Sequence, residues 1–242
     1  MGGQLLIGTS GWVYRHWYGP FYPAGLARDQ LLPFYAARFR TVEINYSFYR
    51  LPSRENFEAW RSATPDDFVF AVKASRYLTH VRRLRDAAEP LNRLLGSARG
   101  LGPKLGPLLF QFPGDWPHNQ RRLEDFLALL PAGDRCAFEF RHASWLVPEV
   151  YQALAAHECA LCIPDSPTLP QDRQVTAPYV YLRMHSGRFS ANYTDAELAR
   201  WVGWLAGRLA EGLDVYVYFN NDVAGYAVAN ALRLGELLRE LA

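Results

Sequence analysis

The segment AFEFRHASW, residues 137–145, places charged side chains on an apolar strand pattern. Because side chains alternate between the two faces of a strand, Glu139 and Arg141 share one face and the two phenylalanines share the other. A buried carboxylate and a buried guanidinium lower stability unless they are paired or used in chemistry. The segment therefore marks a candidate site near the end of a strand.

Polar side chains end other apolar segments in the same way. Asn45 follows Glu43 on one face of its segment, and His185 follows Arg183 on one face of another. Converging cations suit a carboxylate or phosphate, which arginine can bind through two parallel hydrogen bonds. Glutamate and histidine beside such cations can transfer protons. We therefore predict that Glu43, Glu139 and His185 are catalytic, in a hydrolase, isomerase or lyase acting on a small anionic substrate.

Substrate binding is predicted for further polar and aromatic side chains at these segment ends. They are Ser10, Trp12, Asn45, Tyr49, Lys73, His80, Gln111, Arg141, His142, Trp145, Arg183, Asn220 and Asn221. Lys73 stands among carboxylates, where a lysine is expected to be an ion-pair partner rather than a Schiff-base nucleophile. The sequence requires no cofactor for this chemistry.

A divalent metal is one alternative. The ligand set would be Glu139, Asp165, His185 and Asp222. These are ligand types that Mg²⁺, Mn²⁺ or Zn²⁺ accept, and the site would belong to a metal-dependent hydrolase or isomerase. Against it, Arg141 and Arg183 share those faces and compete for the carboxylates, and the chain has no compact ligand motif. The preferred interpretation therefore has no metal.

A nucleotide or a single-stranded nucleic acid is the alternative ligand. Residues 12–18 interleave aromatic side chains with Arg15 and His16, and more aromatic and basic residues follow the second and third strand segments. Such a pattern can stack bases and hold phosphates. The same aromatic residues can instead pack on the end of the fold, and we expect this for about half of them. The small anionic ligand is therefore favoured.

Eight apolar segments predict strands. They are residues 5–9, 41–45, 68–73, 107–112, 136–140, 160–164, 179–185 and 215–220. Helical patterns occupy residues 29–38, 54–63, 87–98, 118–130, 145–157, 195–211 and 224–241. Ser53, Ser144 and Thr194 precede three of these helices as N-caps, and Glu197 stands at the capping-box position after Thr194. Residues 165–177, rich in proline and polar residues, predict a loop after the sixth strand.

Strand–helix alternation repeated eight times without a linker is the signature of a (β/α)8 barrel of the TIM type. We predict one α/β domain over residues 1–242, with the sixth helix reduced to a loop. A doubly wound open sheet is the alternative. In a barrel the carboxyl ends of the strands meet at one mouth, so the polar side chains would form a ring where barrel enzymes keep their sites. A buried ion-pair network that only fills the barrel is the structural alternative.

Acidic and basic residues are nearly equal in number. Lys and Arg number 26 and Asp and Glu number 24, so the net charge of +2 gives no general argument for nucleic acid or an anionic membrane. No apolar run reaches the roughly 18 residues of a membrane span. The first residues, MGGQLLIGTSGW, lack a signal-peptide pattern, so we expect a cytoplasmic protein. Cys136, Cys159 and Cys162 are expected to be buried thiols rather than a disulfide framework.

Seven blocks of the chain carry a resemblance to a known family. In order they are IGTSGWVYRHWYGPFYP, TVEINYSFYRLPS, FAVKASRYLTH, GPLLFQFP, AFEFRHASW, YVYLRMHSG and VYVYFNND. They resemble the successive blocks of the YecE/YunF-like family, catalogued as domain of unknown function 72, and they span nearly the whole chain. The resemblance implies a TIM-type barrel without an assigned reaction. One departure is Ser186, which separates His185 from Gly187 where the two are expected to be adjacent.

Overall fold

The eight apolar segments form eight parallel strands, as predicted. The structure is a computed structural model and describes residues 2–241. The strands are β1 Leu5–Thr9, β2 Thr41–Ile44, β3 Val69–Lys73, β4 Leu105–Gln111, β5 Cys136–Glu139, β6 Ala160–Asp165, β7 Tyr179–Met184 and β8 Asp214–Phe219. Neighbours pair in the order β1-β8-β7-β6-β5-β4-β3-β2. The chain is therefore a single-domain barrel, and the open-sheet alternative is wrong.

Helices surround the barrel. They are α1 Leu31–Ala36, α2 Tyr46–Tyr49, α3 Arg54–Ser62, α4 Ala88–Ala98, α5 Gln120–Leu127, α6 Pro148–Ala156, α7 Asp195–Ala210 and α8 Tyr226–Leu241. Residues 166–178 form no helix, which confirms the loop after β6. The capping box of Thr194 and Glu197 is also confirmed, with both of its hydrogen bonds present.

The predicted helix at residues 145–157 starts too early. Residues Ala143–Trp145 form a separate 3-10 turn, and α6 begins only at Pro148, after Val147 as N-cap. Proline favours the first helical position because its missing N–H would have no partner there. The N-cap role predicted for Ser144 is therefore wrong. The short helix α2 and a π-helical turn at Tyr77–Val81 were not predicted.

Side chains that point into the barrel change in character along each strand. At the amino ends they are apolar or tyrosine, and four tyrosines from β7 and β8 fill space beside alanines of β3, β5 and β6. Two residues further on, Arg183 follows Tyr181, Glu139 follows Ala137 and Lys73 follows Ala71. The period of two residues thus brings the charged side chains to the carboxyl ends of the strands, as the sequence predicted.

The barrel closes where β1 approaches β2. No continuous ladder joins these two strands; the Gly11 N–H donates to the Glu43 carbonyl at 2.8 Å. The Tyr35 hydroxyl accepts from the Thr9 N–H at 2.9 Å and donates to the Thr41 carbonyl at 3.0 Å. A Cβ at Gly8 would lie 2.2 Å from the Thr41 carbonyl oxygen, so only glycine permits this approach. The closure sets the end of β1 against Glu43.

The outer layer consists of apolar strand faces packed against the helices. All three cysteines are free and buried, as expected. Across residues 2–241, no helix is long and apolar enough to span a bilayer.

Candidate active site

Arg183 lies at the centre of the barrel mouth with no solvent exposure. Its Nε and Nη2 donate to the carboxylate of Glu43 at 3.0 and 2.8 Å, and its Nη1 donates to Oε2 of Glu139 at 2.6 Å. Both carboxylates are fully buried as well. We call these three residues, Glu43, Glu139 and Arg183, the floor of the site. One guanidinium therefore joins the two glutamates that the sequence singled out.

Glu43 has its hydrogen-bonding capacity taken up by protein groups. Ser10 Oγ donates to Oε1 at 2.7 Å and the Tyr181 hydroxyl donates to Oε2 at 2.7 Å, in addition to the two bonds from Arg183. Burial alone would raise the pKa of Glu43, but the charge and hydrogen bonds of Arg183 outweigh it and lower that pKa. Glu43 is therefore an ionised anchor with no surface left for a substrate.

Glu139 is held in the same way from two sides. Arg141 Nε donates to its Oε1 at 2.8 Å, while Arg183 occupies Oε2. Burial raises the pKa of Glu139, yet the charge of Arg183 overcomes this and holds the pKa well below its usual value. Since breaking such a buried pair leaves an unmatched charge, the floor is rigidly specified.

Three residues stand above the floor and retain free polar atoms; we call Lys73, Arg141 and His185 the rim. Arg141 is 30% exposed and uses only Nε within the described structure, so both of its terminal nitrogens are available. Lys73 has no carboxylate within salt-bridge distance in residues 2–241, and its Nζ lies 4.2 Å from the centre of the Phe48 ring. The predicted ion pair of Lys73 is therefore wrong.

His185 completes the rim beside β8. Asn220 Nδ2 lies 3.2 Å from its Nδ1, so we assign the ring proton to Nε2. That Nε2 is buried, lies 3.7 Å from Glu139 Oε2 and has no hydrogen-bond partner among the described residues. Burial lowers the pKa of His185, which keeps the ring neutral near pH 7. A neutral imidazole with an unused N–H can donate a hydrogen bond to a ligand.

His80 and Gln111 line the mouth near Lys73. Gln111 Nε2 lies 3.4 Å from His80 Nε2, and Thr79 Oγ1 lies 2.9 Å from His80 Nδ1. Burial, with the charge of Lys73, lowers the pKa of His80 to about 4. His80 is therefore neutral at physiological pH, like His185. The mouth thus combines two neutral imidazoles with two cations, Lys73 and Arg141, whose donor groups are not all hydrogen-bonded.

Trp12 and Asn45 line a cleft of about 630 Å³ next to the mouth. Trp60 forms one wall and packs edge-on against Trp12, with ring centres 5.2 Å apart. Asn45 Nδ2 also donates to Asn220 Oδ1 at 3.3 Å, while the Asn45 side-chain oxygen has no partner in the part of the chain that the structure describes. Tyr49 stands at the edge of the mouth and is 80% exposed. These residues could hold the uncharged part of a ligand.

Three residues predicted to bind substrate make contacts within the protein instead. Trp145 is fully buried, stacks on Phe140 with ring centres 4.5 Å apart, and donates to a backbone carbonyl. His142 caps its own turn by accepting from the Ser144 N–H. Asn221 points away from the barrel and ties the last loop to Ala191 and Asn230. The side chains of Trp145 and Asn221 are therefore engaged by other parts of the protein, away from the floor.

The structure does not assemble the alternative metal site. Asp222 accepts from Trp17 Nε1 at 2.7 Å and faces His16 Nε2 at 2.9 Å. Asp165 lines a separate surface cleft with Arg188 and Arg200. In the described part of the chain, no three His, Cys, Asp or Glu side chains are grouped as metal ligands. The four residues of that set therefore do not act together.

Two contributors to the site were missed from the sequence. Tyr181 lies two residues before Arg183 on the same strand face, so strand alternation could have identified it. Phe48, under the Lys73 amine, lies in the unpredicted helix α2, and no sequence signal marks that contact.

Known proteins are similar to this chain over nearly its whole length. The family model described as "Protein of unknown function DUF72" matches residues 6–242. The UPF0759 protein YunF of Bacillus subtilis is 27% identical over 271 residues, covering 97% of this chain and 95% of that protein. The UPF0759 protein YecE of Escherichia coli is 33% identical over 109 residues, covering 45% of this chain and 40% of that protein.

A solved structure supports the same assignment. The crystal structure of a DUF72 family protein from Thermotoga maritima has 30% sequence identity and a TM-score of 0.81, and the match covers 98% of this chain and 99% of that chain. These findings confirm the resemblance carried by the seven sequence blocks and the barrel that it implied.

Proposed function

The chain belongs to the DUF72 family, and from that premise we propose that its barrel mouth binds a small substrate bearing a carboxylate or phosphate and acts on it by acid/base chemistry. The proposal depends chiefly on one observation, the unequal pairing of charges at the mouth. Two carboxylates face three cations there, and the carboxylates are committed to Arg183 and to one nitrogen of Arg141. Lys73 and the terminal nitrogens of Arg141 are left to attract an anion.

The roles of the glutamates change from those predicted from sequence. We propose that Glu43 and Glu139 are positioning residues that fix the two arginines, because their oxygens are buried and already bound. Proton transfer is assigned to Lys73, and His185 would donate a hydrogen bond through its unused Nε2–H. Arg141 would bind the anionic group, and the cleft beside Asn45 would take the rest of the substrate. No metal or other cofactor is needed for these steps.

Binding of inorganic phosphate, measured by isothermal titration calorimetry, tests the anion site. Arg141→Gln is expected to weaken binding by about tenfold or more, because charge-assisted hydrogen bonds contribute about 1.5–3 kcal/mol. Arg121→Gln removes the same charge from a side chain that is 92% exposed, and it should leave the affinity unchanged. Equal loss in both variants, or no loss in either, would argue against a specific site.

Exchange of the methyl protons of pyruvate into D₂O, followed by NMR, tests the acid/base part. The wild type should accelerate exchange over buffer, Lys73→Arg should abolish the acceleration, and Arg121→Gln should retain it. Exchange no faster than in buffer would contradict acid/base chemistry on such substrates.

A nucleotide or single-stranded nucleic acid is the second candidate ligand. One observation favours it: Tyr46, Tyr49 and Tyr77 are exposed at the mouth, with Arg50 and Arg76 exposed beside them in the chain. Trp12 and Trp17 are buried, so only part of the aromatic set is free to stack on bases. A fluorescence-anisotropy titration with a labelled oligonucleotide at two salt concentrations tests this candidate, because phosphate contacts give steep salt dependence.

A cytoplasmic location is part of the proposal. The three unbridged thiols are what a reducing compartment maintains.

A further inference from the structure

The chain has 26 basic residues, and only two of them, Lys73 and Lys104, are lysines. Both are almost completely buried, with 9% and 5% exposure. Lys104 is anchored through its amine, which donates to the carbonyls of Arg61 and Thr64 at 2.6 and 2.7 Å. All other positive side chains are arginines, which cannot lose their proton in a protein. The two lysines are therefore the chain's only side-chain amines.

Lys73 differs from Lys104 in having no oxygen partner in the described structure. Its side chain leaves the end of β3 and places Nζ over the Phe48 ring, at 4.2 Å from the ring centre. Ser47 donates to the Lys73 carbonyl at 2.6 Å, which fixes the backbone from which the side chain extends. An ammonium so placed has lost most of its water and gained no hydrogen-bond acceptor in exchange.

This environment favours the neutral amine. Burial lowers the pKa of Lys73 to about 8, and the charge of Arg183 adds to the effect while Glu139 and Glu43 oppose it. An appreciable fraction of the amine is therefore unprotonated near neutral pH. A desolvated lysine beside other cations is the usual form of a lysine that attacks carbonyl groups.

Groups that would support such an attack lie close by. His80 packs against the same Phe48 ring, with ring centres 5.0 Å apart, and is neutral, so it can relay a proton. Arg141 presents its free terminal nitrogens on the rim. An anionic carbonyl compound could therefore place its charge on Arg141 and its carbonyl carbon near the amine of Lys73.

We propose that Lys73 forms an imine with an aldehyde or ketone that carries a carboxylate or phosphate; this inference rests on the proposed anion site. The amine nitrogen bonds to the carbonyl carbon, and the carbonyl oxygen takes up the two amine protons and leaves as water. His80 relays one of those protons. No oxidant, reductant or metal is needed. The neutral imine nitrogen takes up one proton from solvent, and the protonated imine then withdraws electrons from the neighbouring carbon, which makes proton removal there easier.

Reductive trapping tests the imine on the full chain. The protein is incubated with glyoxylate, the simplest anionic aldehyde, and sodium cyanoborohydride, and the adduct is located by peptide mapping. We expect the adduct on Lys73, at a rate at least about tenfold above that on Lys104, since the amine of Lys104 is fully engaged. Lys104→Arg should retain the adduct and Lys73→Arg should lose it. Mapping of the wild type locates the adduct even if a variant fails to fold.

The contribution of the anion site is measured separately. Arg141→Gln removes a charge that also lowers the pKa of Lys73, so labelling by uncharged acetaldehyde serves as the reference: labelling of Lys73 by glyoxylate should slow about tenfold more than labelling by acetaldehyde. If phosphate binds but Lys73 is not labelled above Lys104, the imine is wrong and the anion site stands. If Lys73 is labelled equally in wild type and Arg141→Gln and phosphate does not bind, the amine is reactive but the anionic substrate class is wrong. If neither is observed, both proposals fail.

Discussion

The floor and the rim of the mouth contain the same kinds of charged side chain in opposite states. In the floor, every charge is fully buried and each carboxylate has at least two donors. On the rim, within residues 2–241, Lys73 has no acceptor, Arg141 uses one of its three nitrogens, and one His185 nitrogen has no partner. In the proposed function, complete pairing makes the floor a structural support, whereas incomplete pairing leaves the polar atoms of the rim available to a ligand. The role of a charged side chain in such a ring is therefore indicated by how completely it is paired rather than by its residue type.

The largest expected effect comes from removing the centre of the floor. Arg183→Met leaves two buried carboxylates without their partner, so we expect the free energy of unfolding to fall by about 3–5 kcal/mol. Urea unfolding near pH 7 measures this change. Arg121→Met, at an exposed ion pair, should change stability by less than about 1 kcal/mol. A loss in Arg183→Met as small as that of the control would remove the distinction between floor and rim.

The charge of Lys73 on the rim is expected to lower the stability of the fold, and this effect should depend on pH. Lys73 has a pKa of about 8 in the folded chain and the usual 10.5 when unfolded. Below pH 8 both states hold the proton, and the buried charge destabilises the fold by up to about 3 kcal/mol. Between pH 8 and 10.5 only the unfolded state keeps it, so stability rises with pH.

Lys73→Met removes this titration while leaving every other group of the chain in place. The free energy of unfolding of the wild type should therefore rise relative to that of Lys73→Met as the pH rises from 8 to 10.5. A difference that is constant over this range would show that Lys73 is paired like the floor.

A smaller effect on stability is expected from Tyr181, whose hydroxyl donates to the floor residue Glu43. Tyr181→Phe removes one hydrogen bond to the Glu43 carboxylate, and bonds to charged groups contribute about 1.5–3 kcal/mol. Tyr49→Phe makes the same chemical change on a side chain that is 80% exposed, and it should be neutral. Chemical denaturation of both variants measures the contrast. Equal stability of the two variants would show that the Tyr181 hydroxyl does not stabilise the Glu43 carboxylate.

The sequence predicted the barrel and the location of the site because both follow from simple periodicities. Strand–helix alternation gave the fold, and the two-residue period of a strand put Glu43, Glu139 and Arg183 at one mouth. The same period explains why two residues of the predicted sites lie away from the floor. Ala160 and Cys162 face inward on β6, so Asp165 faces outward, and Asn221 faces outward because Tyr216 and Tyr218 face inward on β8.

Other features could not be read from the chain because they depend on register between strands. Glu43 pairs with Ala71 across β2 and β3, one inward position below Lys73, and Arg183 takes up its carboxylate. Lys73 is therefore left without an ion-pair partner among residues 2–241, although the sequence places it among carboxylates. The fate of Trp145 depends on the late start of α6 at Pro148, which leaves the indole to stack on Phe140.

The free state of the Lys73 amine is the central claim, and NMR of the protein labelled with ¹³Cε-lysine tests it most directly. Two lysines give two ε-carbon signals, and Lys104→Arg identifies the signal of Lys73. We predict that this signal titrates with a midpoint about pH 8 and that inorganic phosphate moves the midpoint upward, since a bound anion favours the ammonium form. A midpoint at or above 10.5 that does not respond to phosphate would contradict the account.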